Sequence, residues 1–502
     1  MRNTRSPGSR AIQAGKRPDD EALVVGAGIS GLLAGRVLAR HFGHVTILDR
    51  DGLPDDAQEA RFRKGVPQGR HLHSLATRGS ELLEHFFPGL DAELEAAGAP
   101  GLDQTADTVT EMSSGRMPRF ESGITMRAAS RPLLEAVIRE RLRREPAVRF
   151  LSNVEATGLL LEDGATRGVS TRMRGDRRSE KGEEGEEGEV RADLVVDASG
   201  QSSRAPRWLS ELGYGSPEET VVDAGLGYAS RWYRVPEGFG ENGENGEDWL
   251  SLAVLPEWPD NPRGGTLRQV EGGMWTAVLT GSGGDHPPTE PARFEEFAAS
   301  LPSPIIHEAI SAAEPVSPVY GYRRTANRRL HYERMDLPAG FLVTGDAATT
   351  LNPSYGTGMT AAALSAHVLE DCLAETGSRT GGAGLSRPGS RFGRRFHGRQ
   401  VKAVAPCWTT TTSNDSQWAA SGLEELNAPR RLAHGVSEQV MALATESPAV
   451  VKTMFEVKNV LRGPAAMLRP GILAPALWRT VSGLPGPSKR PALGRRESLG
   501  GG

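Results

Sequence analysis

The chain has 502 residues, 37% of them hydrophobic, and a net charge of −4 at pH 7. This length suits two or three structural units with a large core, and the charge gives no reason to expect a nucleic acid or an anionic membrane surface as partner. Cys372 and Cys407 are the only cysteines, which excludes a disulfide framework and predicts a reducing cytoplasm. No window approaches the roughly twenty apolar residues of an integral membrane segment, and residues 1–19 have the composition of a disordered tail rather than a secretory signal.

The first structured unit, residues 21–51, reads as strand, turn, helix and strand. An apolar run over 22–25 predicts a buried parallel strand, and the sequence GAGISG follows it directly. Apolar side chains then recur at helical spacing before a second strand, which ends at Asp49. A glycine turn placed between a strand and a helix in this way is typical of a dinucleotide-binding fold.

The residues of this turn have different predicted roles. Gly26 permits the tight turn, Gly28 lets the backbone approach a pyrophosphate, and Gly31 lets the helix pack closely on the strand. Ile29 and Ser30 begin the helix, whose free amides and positive dipole end would face the phosphates.

A carboxylate and a cationic segment follow the turn. Asp49 comes eighteen residues after Gly31, close to where a carboxylate meets a ribose hydroxyl. The segment RFRKGVPQGRHLH, residues 61–73, comes next, and its position favours contact with an anion over a solvated loop. Its histidines, His71 and His73, have no carboxylate or cysteine nearby, so we do not expect a metal site.

Two more elements point to the same ligand. A helix begins at Arg131, whose guanidinium opposes the helix dipole there and therefore predicts an anionic partner. The segment DLVVDASG, residues 193–200, reads as a buried parallel strand that ends in an acid, Asp197, and a glycine turn.

A second nucleotide-facing turn lies far along the chain. A buried strand ends in Gly345 and Asp346, and the loop after it contains Gly356 and Gly358 and leads to a helix from Met359. The glycines allow close backbone approach, and the helix again starts with exposed amides.

The rest of the chain divides by composition. Trp232, Tyr233, Trp249, Trp258 and Trp275 fall in a β-rich stretch, where core packing is the plainer interpretation and a substrate pocket the alternative. The charge-rich segment 171–190 predicts a hairpin tip or a disordered insertion. The predicted divisions are a dinucleotide-binding domain in two parts (20–208 and 321–376), a β-rich substrate domain (209–320), a C-terminal helical region (396–480) and a disordered tail (485–502).

The motifs resemble those of flavoprotein monooxygenases of the para-hydroxybenzoate hydroxylase and squalene epoxidase type, over about residues 21–365. GAGISG matches their ADP-binding turn, VVDASG their central nucleotide-contacting strand, and GDAATTLNPSYGTGM their C-terminal flavin motif. RKGVPQGRHLH, VDAGLGYASRWYR and TANRRLHYERM are most similar to bacterial epoxidases that act on polyene precursors of polyether antibiotics.

The resemblance implies an α/β fold: a Rossmann-like FAD-binding domain of the glutathione-reductase type, an inserted mixed β-sheet substrate domain and a C-terminal helical segment. It also implies FAD as cofactor, with the amides before Met359 beside the flavin ring. The implied cofactor-binding residues are Gly26, Gly28, Ile29, Ser30, Gly31, Asp49, Arg50, Arg63, Arg131, Val154, Asp197, Gly345, Asp346, Gly356, Gly358 and Met359.

One departure concerns the reductant. Hydroxylases of this type usually have Asp-Gly where this chain has Asp197-Ala198-Ser199-Gly200. In the family that motif is linked to both FAD and NADPH, so NAD(P)H acts either directly or through a separate flavin reductase as partner.

The implied function is that of an FAD-dependent monooxygenase. It would transfer one oxygen atom from dioxygen to an apolar secondary-metabolite substrate, by epoxidation or hydroxylation, through a flavin C4a-hydroperoxide. No catalytic side chain is predicted, because the flavin carries the chemistry. The alternatives are an FAD-dependent alkene reductase or dehydrogenase of the geranylgeranyl reductase type and a non-catalytic flavin-binding module. A halogenase is disfavoured because the WxWxIP signature is absent.

Overall fold

The computed structural model describes residues 17–54, 62–174, 185–240, 248–376, 384–385, 387, 391–418 and 427–482. The strands are β1 (Arg17–Val25), β2 (Phe42–Asp49), β3 (Gly101–Asp103), β4 (Thr108–Met112), β5 (Gly115–Arg116), β6 (Thr125–Arg127), β7 (Val148–Ser152), β8 (Val154–Glu162), β9 (Ala165–Met173), β10 (Glu187–Arg191), β11 (Leu194–Asp197), β12 (Glu219–Val222), β13 (Gly227–Arg234), β14 (Ser251–Val254), β15 (Arg263–Val270), β16 (Met274–Gly281), β17 (Glu314–Pro315), β18 (Tyr320–Tyr322), β19 (Asn327–Leu330), β20 (Phe341–Val343) and β21 (Thr349–Thr350).

The α-helices of the described residues are α1 (Ile29–Leu38), α2 (Thr77–Phe86), α3 (Leu90–Ala96), α4 (Arg131–Arg143), α5 (Ala205–Glu211), α6 (Pro291–Ala299), α7 (Ile305–Ser311), α8 (Gly358–Thr376), α9 (Phe392–Trp418), α10 (Ala428–Ala444), α11 (Pro448–Lys458) and α12 (Pro470–Ser482). None of these helices combines the length and the apolar composition that a membrane crossing requires. Cys372 and Cys407 are buried and form no disulfide.

A parallel sheet in the order β20-β11-β1-β2-β7 forms the first layer of the fold. Its strands are apolar because both faces are covered. On one face Val24 packs with α1 and α8, and on the other Leu23 packs with α5 and the antiparallel β8–β10 sheet. Parallel strands end at the same edge, so the turns after β1, β2, β11 and β20 meet there. The predicted fold class is confirmed.

A second, mixed sheet has the order β17-β13-β16-β15-β14-β4-β5, with β18 also paired to β13. One of its faces packs on α6 and α7, and Tyr233, Trp249 and Trp275 lie in that core. Core packing is therefore the correct interpretation for these three aromatics. Trp232 instead donates from Nε1 to the carbonyl of Arg70, at 2.9 Å, and Trp258 packs edge-on against His434.

Several predicted boundaries need correction. Residues 108–116, assigned to the dinucleotide-binding part, belong to the second sheet because β4 pairs in parallel with β14. Residues 17–19, assigned to the tail, are part of β1, and the C-terminal helical region begins at Phe392 rather than 396. The charge-rich segment is flanked by the antiparallel pair β9 and β10. Its residues 175–184, like the tails at 1–16 and 485–502, lie outside the described residues.

A buried carboxylate ties α9 to the loop before α8. Asp415 accepts hydrogen bonds from Asn327 Nδ2 at 2.5 Å, Asn352 Nδ2 at 2.8 Å and the Tyr355 hydroxyl at 2.7 Å. Burial raises the pKa of this carboxyl, while the three donors oppose that rise. Because the group is fully buried, the network fixes the loop that carries the second glycine turn.

We expect Asp415→Ala to lower the melting temperature by several degrees, because two buried amide groups and the half-buried Tyr355 hydroxyl would lose their acceptor, at a cost of about 2–4 kcal/mol. Asp336→Ala is the control. Its exposed carboxylate pairs with Arg394 at the surface, so its removal should shift the melting temperature by no more than about a degree. Equal melting temperatures for the two variants, measured by differential scanning calorimetry, would contradict the structural role of Asp415.

Candidate functional site

One continuous cleft runs along the carboxyl edge of the parallel sheet, from the first glycine turn to the loop before α8. It joins the two turns that are distant in sequence. Of the predicted site residues, those that line it are Gly26, Gly28, Ile29, Ser30, Asp49, Arg50, Arg63, Arg131, Val154, Asp346, Gly356, Gly358 and Met359.

The glycines of the first turn are required for different reasons. Gly26 has a φ of +103°, a conformation that other residues rarely adopt. A Cβ on Gly31 would lie 1.8 Å from the carbonyl oxygen of Gly26, so the helix could not approach the strand. A Cβ on Gly28 would meet nothing closer than Arg131 Nη2, at 3.8 Å. The protein's own packing does not need glycine at position 28, and the space above it belongs to the cleft.

The start of α1 is open to an anion. Its first turn has no capping side chain and no acidic residue, so its amides and the positive end of its dipole face the cleft. The preceding backbone is held by Asp49, whose Oδ2 accepts from the Ala27 amide at 2.7 Å. Asp49 Oδ1 accepts from the Asp51 amide at 2.8 Å. These bonds fix the carboxylate at the edge of the cleft.

Buried arginines add positive charge beside this helix start. Glu135 accepts from Arg63 Nη2 at 2.7 Å and from Arg131 Nε at 2.6 Å. Burial opposes its ionisation, but Arg131 and Arg63 lower the pKa of Glu135 to about 2. Arg139 lies nearby, and burial followed by repulsion from Arg63 lowers its pKa to about 10. Three guanidinium groups therefore face two carboxylates, Glu135 and Asp49, and the excess positive charge suits a phosphate ligand.

Polar atoms without partners among the described residues also line the cleft. They are His73 Nε2, Ser30 Oγ and Ser199 Oγ, all buried. Burial and, second, Arg131 lower the pKa of His73 to about 3, so its ring is neutral at pH 7. Buried polar atoms are normally hydrogen-bonded. Their arrangement therefore fits a bound polar molecule such as a dinucleotide.

The second turn forms the other end of the cleft. Burial raises the pKa of Asp346 to about 6, although Arg131 opposes the rise. Gly358 begins α8, and this helix has no acidic residue in its first turn. A Cβ on Gly358 would meet nothing within 4 Å, so this backbone, like that of Gly28, is open toward the cleft. A second helix start is thus presented to the same ligand.

Three predicted site residues do not line the cleft, and direct contact with a ligand is not supported for them. Gly31 is a packing residue, and Gly345 lies against Ser30 Oγ, which would be 2.1 Å from an added Cβ. Asp197 is fully buried and accepts from the Ser199 amide at 2.9 Å and the Ser203 hydroxyl at 2.5 Å. Through these two hydrogen bonds Asp197 holds the loop after β11 in place.

The side chains of the cationic segment, residues 61–73, lie in different environments. Arg63 and His73 reach the cleft, whereas the Arg70 guanidinium stacks 4.7 Å from the centre of the Tyr320 ring. His71 Nδ1 hydrogen-bonds Ser230 Oγ at 2.8 Å and so joins this segment to the second sheet. Arg61 lies outside the described residues.

Sequence reasoning missed some of the lining residues. The loop residues Gln201, Ser202 and Arg204 follow the predicted strand and its glycine turn, which could have indicated them. Ser74, Trp208 and Tyr322 carry no comparable signal, because they reach the cleft through tertiary packing alone.

Residues 19–223 match the FAD binding domain family. The chain is 29% identical over 445 residues to Protein Rv3254 of Mycobacterium tuberculosis, covering 87% of this chain and 88% of that protein. It is 26% identical over 385 residues to kynurenine 3-monooxygenase of Salinispora arenicola, covering 71% of this chain and 73% of that enzyme. Its fold is similar to the flavin-dependent brominase Bmp2, with a TM-score of 0.60 and 14% identity over 92% of this chain and 98% of the brominase.

The cleft lies largely within the matched region and has donors at both ends for a long anionic dinucleotide. The chain therefore carries an FAD binding domain and is a flavin-dependent oxidoreductase.

Proposed function

We propose that this protein is an FAD-dependent monooxygenase that transfers one oxygen atom from dioxygen to a small organic substrate. The observation that carries the proposal is the single cleft that joins the α1 and α8 helix starts, with Tyr322 of the second sheet in its lining. A redox cofactor held in this way has its phosphates at one turn and its reactive ring at the other. The substrate domain then has a surface on which to place the substrate.

Different residues of the chain bind different parts of FAD. The α1 amides and Arg63 and Arg131 hold the pyrophosphate, and Asp49 accepts from the ribose of the adenosine. His73 and Ser30 hydrogen-bond to the cofactor through atoms that otherwise have no partner among the described residues. The α8 amides stabilise negative charge on the ring. When bound, FAD supplies the redox chemistry and the reaction with dioxygen.

The reaction type, the reductant and the cellular location are proposed from the sequence resemblance. Epoxidation and hydroxylation both fit a substrate held over the ring, and the polyether-type motifs favour an epoxidase of antibiotic biosynthesis. NAD(P)H is the reductant, either directly or through a separate flavin reductase. Cys372 and Cys407 are buried free thiols, which fits the reducing cytoplasm that we propose as the location of the enzyme.

Gly28→Val should weaken FAD binding by about tenfold or more, because its side chain would fill the cleft where the pyrophosphate lies, and overpacking costs about 1–3 kcal/mol. Gly398→Val is the matched control: this glycine lies in α9 with nothing within 4 Å of an added Cβ, away from the cleft. The measurement is the FAD-to-protein ratio after gel filtration and the Kd from flavin fluorescence. Full flavin content in Gly28→Val would contradict the predicted approach of the pyrophosphate.

Asp346→Ala should weaken FAD binding more than Asp197→Ala does. Asp346 lies in the cleft, whereas Asp197 only holds the Ser199 and Ser203 groups beneath it. Asp197→Ala should instead lower the melting temperature, because the half-buried Ser199 amide and Ser203 hydroxyl lose their acceptor, each at a cost of about 1–3 kcal/mol. Equal FAD affinities in the two variants would show that the cleft position of Asp346 has no role in binding.

Stopped-flow absorbance distinguishes the monooxygenase from a reductase or dehydrogenase on the same fold. When the reduced enzyme meets dioxygen, we expect a transient spectrum that differs from those of the reduced and oxidised flavin. Direct return to the oxidised spectrum, combined with reduction of an alkene substrate, would favour the reductase instead.

A further inference from the structure

A cluster of two histidines and one glutamate lies outside the FAD cleft, where the end of α2 meets α8. The two helices pack closely, since a Cβ on Gly79 of α2 would lie 2.7 Å from Thr360 Oγ1 of α8. His85 is in the last turn of α2, and His367 and Glu370 are one turn apart on α8. None of the three is among the described residues that line the cleft, so the binding of FAD does not use them.

One carboxylate oxygen of this cluster lies beside both imidazoles. His85 Nε2 donates to Glu370 Oε2 at 2.7 Å, and His367 Nδ1 lies 3.5 Å from the same oxygen. The cluster offers one ligand atom from each side chain, and these three atoms all lie within 4.8 Å of one another. Ligand atoms on a tetrahedral zinc ion, each about 2.0–2.1 Å from the metal, are separated by about 3.3 Å. Small rotations of the three side chains would therefore place their ligand atoms around one ion.

The cluster also contains a polar atom that is not satisfied. The Nδ1 atom of His367 is buried and has no hydrogen-bond partner among the described residues. Its separation of 3.5 Å from Glu370 Oε2 is longer than a well-formed hydrogen bond. Buried polar atoms normally have a partner. An ion bound beside Glu370 would supply that partner, because the lone pair of a neutral imidazole nitrogen is a metal ligand.

The carboxylate of Glu370 is kept ionised and is held in place from its other side. Burial opposes its ionisation, but His367 and His85, and then Arg40, lower the pKa of Glu370 to about 2. Arg40 pairs with Glu370 Oε1, and its Nη2 also donates to the Phe86 carbonyl at the end of α2, at 3.4 Å. Such partners behind a ligand are typical of metal sites, where they fix the orientation of the ligating group.

The cluster is accessible from solvent. The His85 side chain is about half exposed, whereas those of His367 and Glu370 are partly buried. Water can therefore reach the ion and complete its coordination, as it does in zinc sites that have three protein ligands. Because Arg40 already balances the charge of Glu370, the affinity would depend on the two imidazole nitrogens. Nitrogen ligands favour a transition metal over Mg²⁺ or Ca²⁺, which prefer oxygen.

We propose that His85, His367 and Glu370 bind a divalent transition metal ion, and that Zn²⁺ is the ion that fits this set. Two imidazoles and a carboxylate are common zinc ligands. The ion would link α2 to α8, the helix whose start at Gly358 lines the FAD cleft. The site lies outside the cleft and does not depend on the proposed monooxygenase function.

Isothermal calorimetry tests the site on the FAD-loaded protein after a chelator has been applied and removed by gel filtration. Zinc chloride titrated at pH 7 should show saturable binding of one ion per chain. Magnesium chloride should bind at least about tenfold more weakly, because imidazole nitrogen is a poor ligand for it. The proposal is wrong if zinc shows no saturable binding or if magnesium binds equally tightly.

Variants assign the binding to the cluster. His85→Ala and His367→Ala should each weaken zinc binding about tenfold or more, since even the loss of a partner behind a ligand costs about 10–100-fold in metal affinity. His307→Ala is the matched control, because this histidine lies on α7, which packs on the second sheet, and the variant should bind zinc as the unaltered protein does. An unchanged zinc affinity in either His85→Ala or His367→Ala would overturn the three-ligand site.

X-ray absorption at the zinc edge gives a readout that requires no variant. The zinc-loaded protein should show nitrogen and oxygen ligands at about 2.0–2.1 Å, together with the outer scattering of two imidazole rings. A spectrum without imidazole scattering would show that zinc binds elsewhere on the protein and would overturn the assignment.

Discussion

The close approach of α1 to β1 is the constraint on which the cleft depends. It exists because Gly31 has no side chain at the point where the helix crosses the carbonyl of Gly26. This approach aims the amides of the first helical turn at the carboxyl edge of the parallel sheet. The turns after β2, β11 and β20 reach the same edge, since parallel strands all end there. A single cleft is therefore a consequence of the sheet, and each turn adds one part of its lining.

The electrostatics of the cleft depend on how its charges are compensated. Glu135 neutralises part of the positive charge of Arg63 and Arg131 and holds both side chains in place. Without it two buried guanidinium groups would repel each other, and with it they remain ordered and still leave an excess of positive charge for a phosphate.

The C-terminal helices act on the site at two points. Asp415, on α9, fixes the loop before α8 through Asn352 and Tyr355. Asn459, directly after α11, accepts a hydrogen bond from the Thr77 amide at the start of α2. These helices had no predicted role, because their side chains act through contacts with segments far away in the sequence.

The sequence alone determined the fold class, the glycine turns and 13 of the residues that line the cleft, because these depend on local rules. A strand followed by GAGISG and a helix has few alternatives, and the loop before Met359 repeats the same chemistry. Only the tertiary structure shows that Asp197 hydrogen-bonds the loop after β11 rather than lining the cleft. It also shows that residues 108–116 join the second sheet and that Trp249 and Trp275 are core residues. It alone brought Asp415 together with Asn327 and Asn352, since such buried contacts depend on which distant segments pack around a residue.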